Sequence, residues 1–238
     1  MALFPLPTTG GHRIYPIWKP KLATLKKHAI KLSSVWFWIN GGKDQVLDEA
    51  NENILRTLAK TNTKTELWVS FPKSYFDGLT DEEKIKKGVQ TLRYIHQRTS
   101  EIGCTVALYN HEDWFGEPAN EVKIIKASGL SNVHIVYNFH HGHTQVDRFD
   151  EILKIAGPYL STVNLNGMSG SEFNILTIGK GTQELEMLLK LKASGFNGTI
   201  GIIGHTENED VALVLQRNID GLKKLLAEMG EMKALSTY

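Results

Sequence analysis

Apolar runs of strand length alternate with amphipathic runs of helix length along the chain, and this predicts an α/β fold: a (β/α) barrel of the TIM type. A barrel is favoured over a doubly wound sheet because residues able to do chemistry stand at the C-terminal ends of several different strands, where barrel active sites lie. No shift in composition marks a linker, so residues 1–238 read as one domain.

Residues 1–20 hold four of the seven prolines and the Gly10-Gly11 pair, so they read as an extended arm with one short strand near Ala2–Leu6. Leu22, Leu25, Ala29 and Ile30 recur at helical spacing on a basic helix. VWFWI, Val35–Ile39, is a strand stopped by Asn40-Gly41-Gly42. Val46, Leu47, Ala50, Ile54, Leu55 and Leu58 line one face of a second helix, and the strand LWVSF ends at Pro72. Thr80-Asp81-Glu82-Glu83 resembles a capping box opening a helix that runs to about Ile102. A strand at Thr105–His111 and a helix around Ala119–Ala127 lead to a strand at 133–138. A helix near Val146–Ala156 precedes the strand at 161–166, and Asn174–Ile178 is a candidate short strand. A Leu-rich helix, a strand at 199–203 and a helix over Asp210–Met229 close the chain. Six strands are firm, while an early strand and one between Phe71 and Thr80 are degenerate or missing, so an incomplete barrel is expected.

Composition narrows the function classes. Lys+Arg 27 against Asp+Glu 26 leaves a formal charge of +1, with no basic excess for nucleic acid or an anionic membrane surface. The single cysteine, Cys104, excludes an internal disulfide and a cysteine-based zinc site. No run approaches the ~20 apolar residues that span a bilayer. The N-terminus lacks the pattern of a secretory signal, which makes the cytoplasm the default expectation.

The chemistry concentrates in VHIVYNFHHGH, Val133–His143. An apolar strand runs into Asn138, His140, His141 and His143, so three of the nine histidines fall within four residues. Imidazole carries a proton near neutral pH or ligates a metal. The plainer reading is that one or two of these rings hydrogen-bond loop backbone.

ALYNHEDWFGEP, VYNFHHGH, VNLNGM and SGFNGTIGIIGH resemble, in order, four strand ends of the xylose isomerase-like barrels, most closely the sugar phosphate isomerase/epimerase-like subgroup. The resemblance implies a (β/α)₈ fold and a small carbohydrate substrate. Its usual metal ligands, two glutamates, an aspartate and a histidine, fall on Tyr109, Asn138, Asn164 and Ile203, none of which keeps the ligand. Two amides, a phenol and an alkyl chain suit Mg²⁺ or Mn²⁺ poorly.

Side chains alternate along a strand, so each of these positions has a same-side neighbour nearer the rim: His111, His140, Asn166 and His205. His111, His140 and His205, with His141 and Tyr109, are the candidate catalytic residues, and Asn110, Asn138, His143, Asn164 and Asn166 are candidate substrate contacts. Two chemistries fit. His111, His141 and His205 together could hold a divalent metal, Zn or Mn; without metal, one histidine acts as base and another as acid. Glu112, beside Asp113 and Glu117, is a candidate base or part of a solvated acidic loop, and Trp114 stacks on a sugar or plugs the loop. Lys180, in Gly179-Lys180-Gly181-Thr182, reads as a phosphate contact or as part of a helix N-cap turn. The two tryptophans of VWFWI read as core.

The reading is an isomerase, epimerase or related lyase acting on a carbohydrate; the alternative is a carbohydrate-binding barrel without catalysis. A nuclease is disfavoured, because no basic stretch tracks a phosphate backbone. An incomplete barrel exposes sheet edge, which a homodimer would cover.

Overall fold

The computed structural model describes residues 2–3, 18–40, 45–111, 113–170, 175–204, 206 and 208–238. The elements are those of an α/β TIM-type barrel fold, and the chain divides within one strand into two compact units, Met1–Ile135 and Val136–Tyr238. The division falls where the sequence shows no linker.

In the first unit, strands β1 (Ala2–Leu3), β2 (Ser34–Trp38), β3 (Glu66–Ser70) and β4 (Thr105–Tyr109) pair in parallel and in chain order. The start of β5 (Val133–Asn138) completes the unit. Helices α1 (Trp18–Lys27), α2 (Glu49–Lys60), α3 (Asp81–Ser100) and α4 (Pro118–Ser128) make the connections. Register places Trp36 beside Trp68 and Trp68 beside Ala107 on one face; Val35, Phe37, Leu67, Val69, Val106 and Leu108, buried on the other, form the core. Both faces of a parallel sheet are covered, which is why these strands read as nearly continuous apolar runs.

Local signals set the helix ends. Thr80 and Glu83 form the expected capping box, with Thr80 N–H donating to Glu83 Oε2 at 2.8 Å. Asp48 and Asn51 form a second one on α2. Gly88 lets α3 and α4 pack closely, since a Cβ there would stand 2.7 Å from Ile124 Cδ1. No strand forms between Phe71 and Thr80 in the described residues; Lys73–Phe76 is a 3-10 turn.

The second unit takes the rest of β5, a 3-10 segment over Phe139–Arg148, helix α5 (Phe149–Ala156) and strand β6 (Leu160–Leu165). Helix α6 (Glu184–Ala193), strand β7 (Thr199–Ile202), helix α7 (Val211–Glu228) and the short α8 (Met232–Leu235) follow. Strand β7 pairs in parallel with β6, Asn164 lying beside Gly201. Two expectations change here. The helix predicted from Val146 starts at Phe149, because the preceding segment is held as 3-10 by local contacts. Asn138 Oδ1 caps it by accepting from His140 N–H at 3.0 Å, and Tyr137 O–H donates to Gln145 Oε1 at 2.9 Å. The candidate strand at Asn174–Ile178 is, in its described part, a single antiparallel bridge between Gly167 and Leu176.

One ion pair makes the first unit's stability depend on pH. His134 Nδ1 lies 2.9 Å from Glu66 Oε2, and this hydrogen bond raises the imidazole pKa against the opposing effect of burial. The folded value exceeds the unfolded one, so the pair's contribution is complete below about pH 6.5 while Glu66 stays ionised, and is lost as pH rises through the folded value. The pH-dependent part of the stability difference between wild type and His134→Ala is expected to reach about 0.5–1 kcal/mol near pH 5.5–6 and to vanish in alkaline buffer. Its size is modest because the His134 side chain is 38% exposed. Thermal melts across that range check it.

Candidate functional site

The first unit gathers aromatic rings along β2, β3 and β4 from their midpoints to their C-terminal ends. Trp36, Trp38, Trp68 and Tyr109 occupy one phase of the strand alternation. Trp68 stacks on Tyr109 at 5.9 Å with the ring planes 9° apart. His111 sits against this wall, its ring 5.9 Å from Trp36, 5.1 Å from Trp38 and 6.2 Å from Tyr109. The indole N–H groups of both tryptophans are bonded: Trp36 Nε1 donates to Ser70 Oγ, and Trp38 Nε1 to Asn40 Oδ1 at 2.8 Å. Asn110 is buried.

The loop after β4 packs rather than projects. Trp114 lies 5.4 Å from Phe76 with the Lys84 ammonium 5.3 Å over its ring, and Asp113 pairs with Lys73 at 3.2 Å. These residues line a cavity of about 280 Å³. Glu112 lies outside the described residues. Behind the loop, Glu121 in the first turn of α4 is completely buried, and neither carboxylate oxygen has a hydrogen-bond partner among the described residues. Burial, reinforced by the neighbouring Glu117 charge, pushes its pKa well above the carboxylate range.

The second unit holds the histidine cluster. The 3-10 segment brings the His140 ring to 5.0 Å from His141 and 6.0 Å from His143. Gly142 permits the tight winding, since a Cβ there would stand 2.4 Å from the Tyr137 hydroxyl. His143 is buried and its Nδ1 faces the Ser169 carbonyl at 2.9 Å. A carbonyl only accepts, so Nδ1 carries a proton and Nε2 is the ring nitrogen left facing away from that bond. His140 and His141 are half-buried.

Strand β6 adds two buried amides. Asn166 Nδ2 donates to the Gly167 carbonyl at 2.8 Å, while its Oδ1 has no partner among the described residues. Asn164 Nδ2 likewise has none, and Gly201 makes room for the amide, since a Cβ there would lie 2.2 Å from Asn164 Oδ1. Buried polar atoms are almost always satisfied, so two without partners among the described residues on one strand end are candidates for contact with a ligand's polar groups.

Lys180 is exposed, and the turn around it is closed on itself. Gly179 and Gly181 N–H groups both donate to Glu184 Oε1 at 2.9 Å, and Thr182 and Gln183 N–H groups donate to the Met168 carbonyl. The donors a phosphate would need are therefore engaged. His205 lies outside the described residues. A larger cavity of about 430 Å³ is lined mostly by apolar side chains, Leu188, Leu191, Phe196 and Ile200 among them. Its Lys192 and Glu231 pair with each other.

The residues at the expected metal positions do not fit a hard divalent ion. Asn138 Oδ1 is committed to capping the 3-10 segment, Tyr109 is stacked, and Ile203 has no donor atom in its side chain. Among the described residues, no group of three or more His, Cys, Asp or Glu is placed to hold a metal. Sequence reading assigned Trp36 and Trp38 to the core, although they share the alternation phase of Tyr109 and His111 that identifies them as part of the wall. Glu121 gave no signal beyond its place in an otherwise apolar helical face.

No family model matches the chain, and no curated protein is similar to it. Solved structures are similar. 3-keto-D-glucoside 4-epimerase YcjR from E. coli matches with 19% identity and a TM-score of 0.64, over 86% of this chain and 82% of that one. A D-psicose 3-epimerase solved in the presence of D-fructose matches with 17% identity and a TM-score of 0.67, over 94% and 87%. The IolI protein with a bound zinc atom matches with 14% identity and a TM-score of 0.67, over 92% and 86%. At these identities the likeness establishes the fold, which is that of the xylose isomerase-like TIM barrels.

Glu121 offers a direct check on this geometry. Its folded pKa exceeds the unfolded one, so the buried carboxyl costs stability increasingly as pH rises above the ordinary carboxylate range. Glu121→Gln is expected to stabilise the protein by about 1–3 kcal/mol at neutral pH, the gain disappearing near pH 4, where the wild-type carboxyl is protonated in both states. Chemical denaturation at the two pH values measures it. A loss of stability at both would show that the carboxylate has a partner.

Proposed function

We propose that the protein is an enzyme that removes a proton next to the carbonyl of a sugar or sugar derivative, as an isomerase, an epimerase or a related lyase. The observation that carries this reading is the second unit's histidine cluster together with the open amide atoms of Asn164 and Asn166. Proton abstraction needs a base and a donor for the oxygen that becomes an enediolate. His141, half-buried and adjacent to His140, is the base, with His140 returning the proton. The Asn164 Nδ2 amide donates to the enediolate oxygen, and Asn166 Oδ1 accepts from a substrate hydroxyl. His143, locked with its proton on Nδ1, orients the substrate through Nε2.

Return of the proton to the neighbouring carbon isomerises, return to the opposite face epimerises, and loss of a hydroxyl from the next carbon eliminates water. The similar structures include sugar epimerases and a probable 3-DHS dehydratase, which supports this range of outcomes. His111 and Tyr109 are proposed catalytic groups of the first unit, and Glu112 and His205 complete the proposed set. Asn110, Trp114, Asn138 and Lys180 are proposed substrate contacts. No step is assigned to a metal at the positions of Tyr109, Asn138, Asn164 and Ile203, because their side chains supply no carboxylate.

Incubation with a panel of ketoses and aldoses in D₂O, followed by NMR, reads out deuterium incorporation next to the carbonyl. His141→Gln is expected to slow exchange by about 10²–10⁴-fold. Asn164→Leu should slow it by about 10²–10³-fold, both at near-unchanged melting temperature. Sugar binding without exchange in the wild type would instead support a carbohydrate-binding protein, and full exchange in His141→Gln would remove His141 as the base.

A further inference from the structure

The first unit contains an ordered column of side chains on one phase of its strands. It begins at the starts of β3 and β5, where His134 Nδ1 and Glu66 Oε2 lie 2.9 Å apart. The other oxygen, Glu66 Oε1, accepts the Trp68 indole N–H at 3.0 Å. Trp68 is 2% exposed and lies against Tyr109, and the Tyr109 ring in turn faces His111 and Trp36. Glu66 and Trp68 are two residues apart on one strand and so share a face. The Glu66 side chain is 13% exposed, so both bonds form largely away from water.

An indole in a stack can flip about its outer torsion unless its single N–H is held, because that torsion is broad and roughly two-fold. A carboxylate is a strong acceptor for that N–H. The carboxylate is itself fixed from the opposite side by the imidazole of another strand. Two oxygens, each with its own partner, leave Glu66 little rotational freedom.

We propose that Glu66 is a positioning residue: by holding the Trp68 indole N–H it sets the Tyr109 ring, and with it the wall against which His111 is oriented. The role of His111 in catalysis rests on the function proposed above; the mechanical coupling from Glu66 to His111 does not.

The test uses Glu66→Leu, which removes the acceptor, Glu66→Gln, which keeps an amide oxygen for the indole, and Trp68→Phe, which keeps a ring and removes the donor. The primary readout is the chemical shift of the His111 ring Cε1–H, assigned with His111→Gln, because aromatic neighbours shift it according to their geometry. Glu66→Leu and Trp68→Phe should move this resonance in the same direction, their combination should move it no further, and Glu66→Gln should restore it. With a turned-over sugar, Glu66→Leu should lower kcat by up to about 100-fold with KM little changed, as expected for a misplaced catalytic group. A His111 resonance unmoved in Glu66→Leu, or in Trp68→Phe should Glu66→Leu fail to fold, overturns the proposal even if turnover is normal. Absence of turnover on any sugar defeats the functional reading and leaves the resonance to decide the coupling.

Discussion

The two-residue alternation of the parallel strands is the constraint on which the rest of the first unit depends. One phase sends Val35, Phe37, Leu67, Val69, Val106 and Leu108 into a core that excludes water. The other receives the tryptophans, Tyr109 and the polar residues Ser70 and Glu66, and each polar group in that phase needs a partner of its own. A slip of one residue would exchange the two sets, so the apolar phase enforces the placement of the polar one. The aromatic wall, the His134–Glu66 pair and the orientation of His111 are all consequences of that choice of phase.

The second unit obtains order from the same rule of satisfied polar groups, applied to irregular backbone. Glu184 accepts from three backbone N–H groups, those of Met168, Gly179 and Gly181, and so ties two loops to the first turn of α6. Asn218 does the same for Ile178, accepting its N–H at 2.9 Å while its own amide bonds back to the Val214 carbonyl. Against this background the open amide atoms of Asn164 and Asn166 stand apart. The unit uses buried side chains to close its loops, yet Asn164 Nδ2 and Asn166 Oδ1 have no partner among the described residues.

Much of the architecture was legible because strand and helix signals are local. The six firm strands fall within a residue or two of their expected limits, and the capping box at Thr80 and the stop of β3 shortly before Pro72 are read from a handful of neighbouring residues. The grouping of His140, His141 and His143 was equally visible. What escaped was either long-range or dependent on a local competition. Glu66 and His134 are 68 residues apart, and no sequence period joins them. The 3-10 winding of Phe139–Arg148 is decided by Asn138 and Tyr137 outcompeting helix propensity, which a periodicity argument does not weigh. Trp36 and Trp38 read as core because an apolar strand looks the same on both faces, and only pairing with Ser70 and Asn40 reveals that their indoles have polar business.

The place of Asn164 is held by an absence on the neighbouring strand. Gly201 contributes no side chain, and the amide oxygen occupies the volume where one would begin. Paired strands stand only about 4.8 Å apart, so even a methyl group at this point would evict the amide. The rotamer of Asn164 is thus encoded in two places: in its own codon and in one that specifies nothing but hydrogen. Any attempt to redesign this strand end, by grafting a carboxylate at position 164 or reshaping the amide pair, inherits Gly201 as a coupled choice.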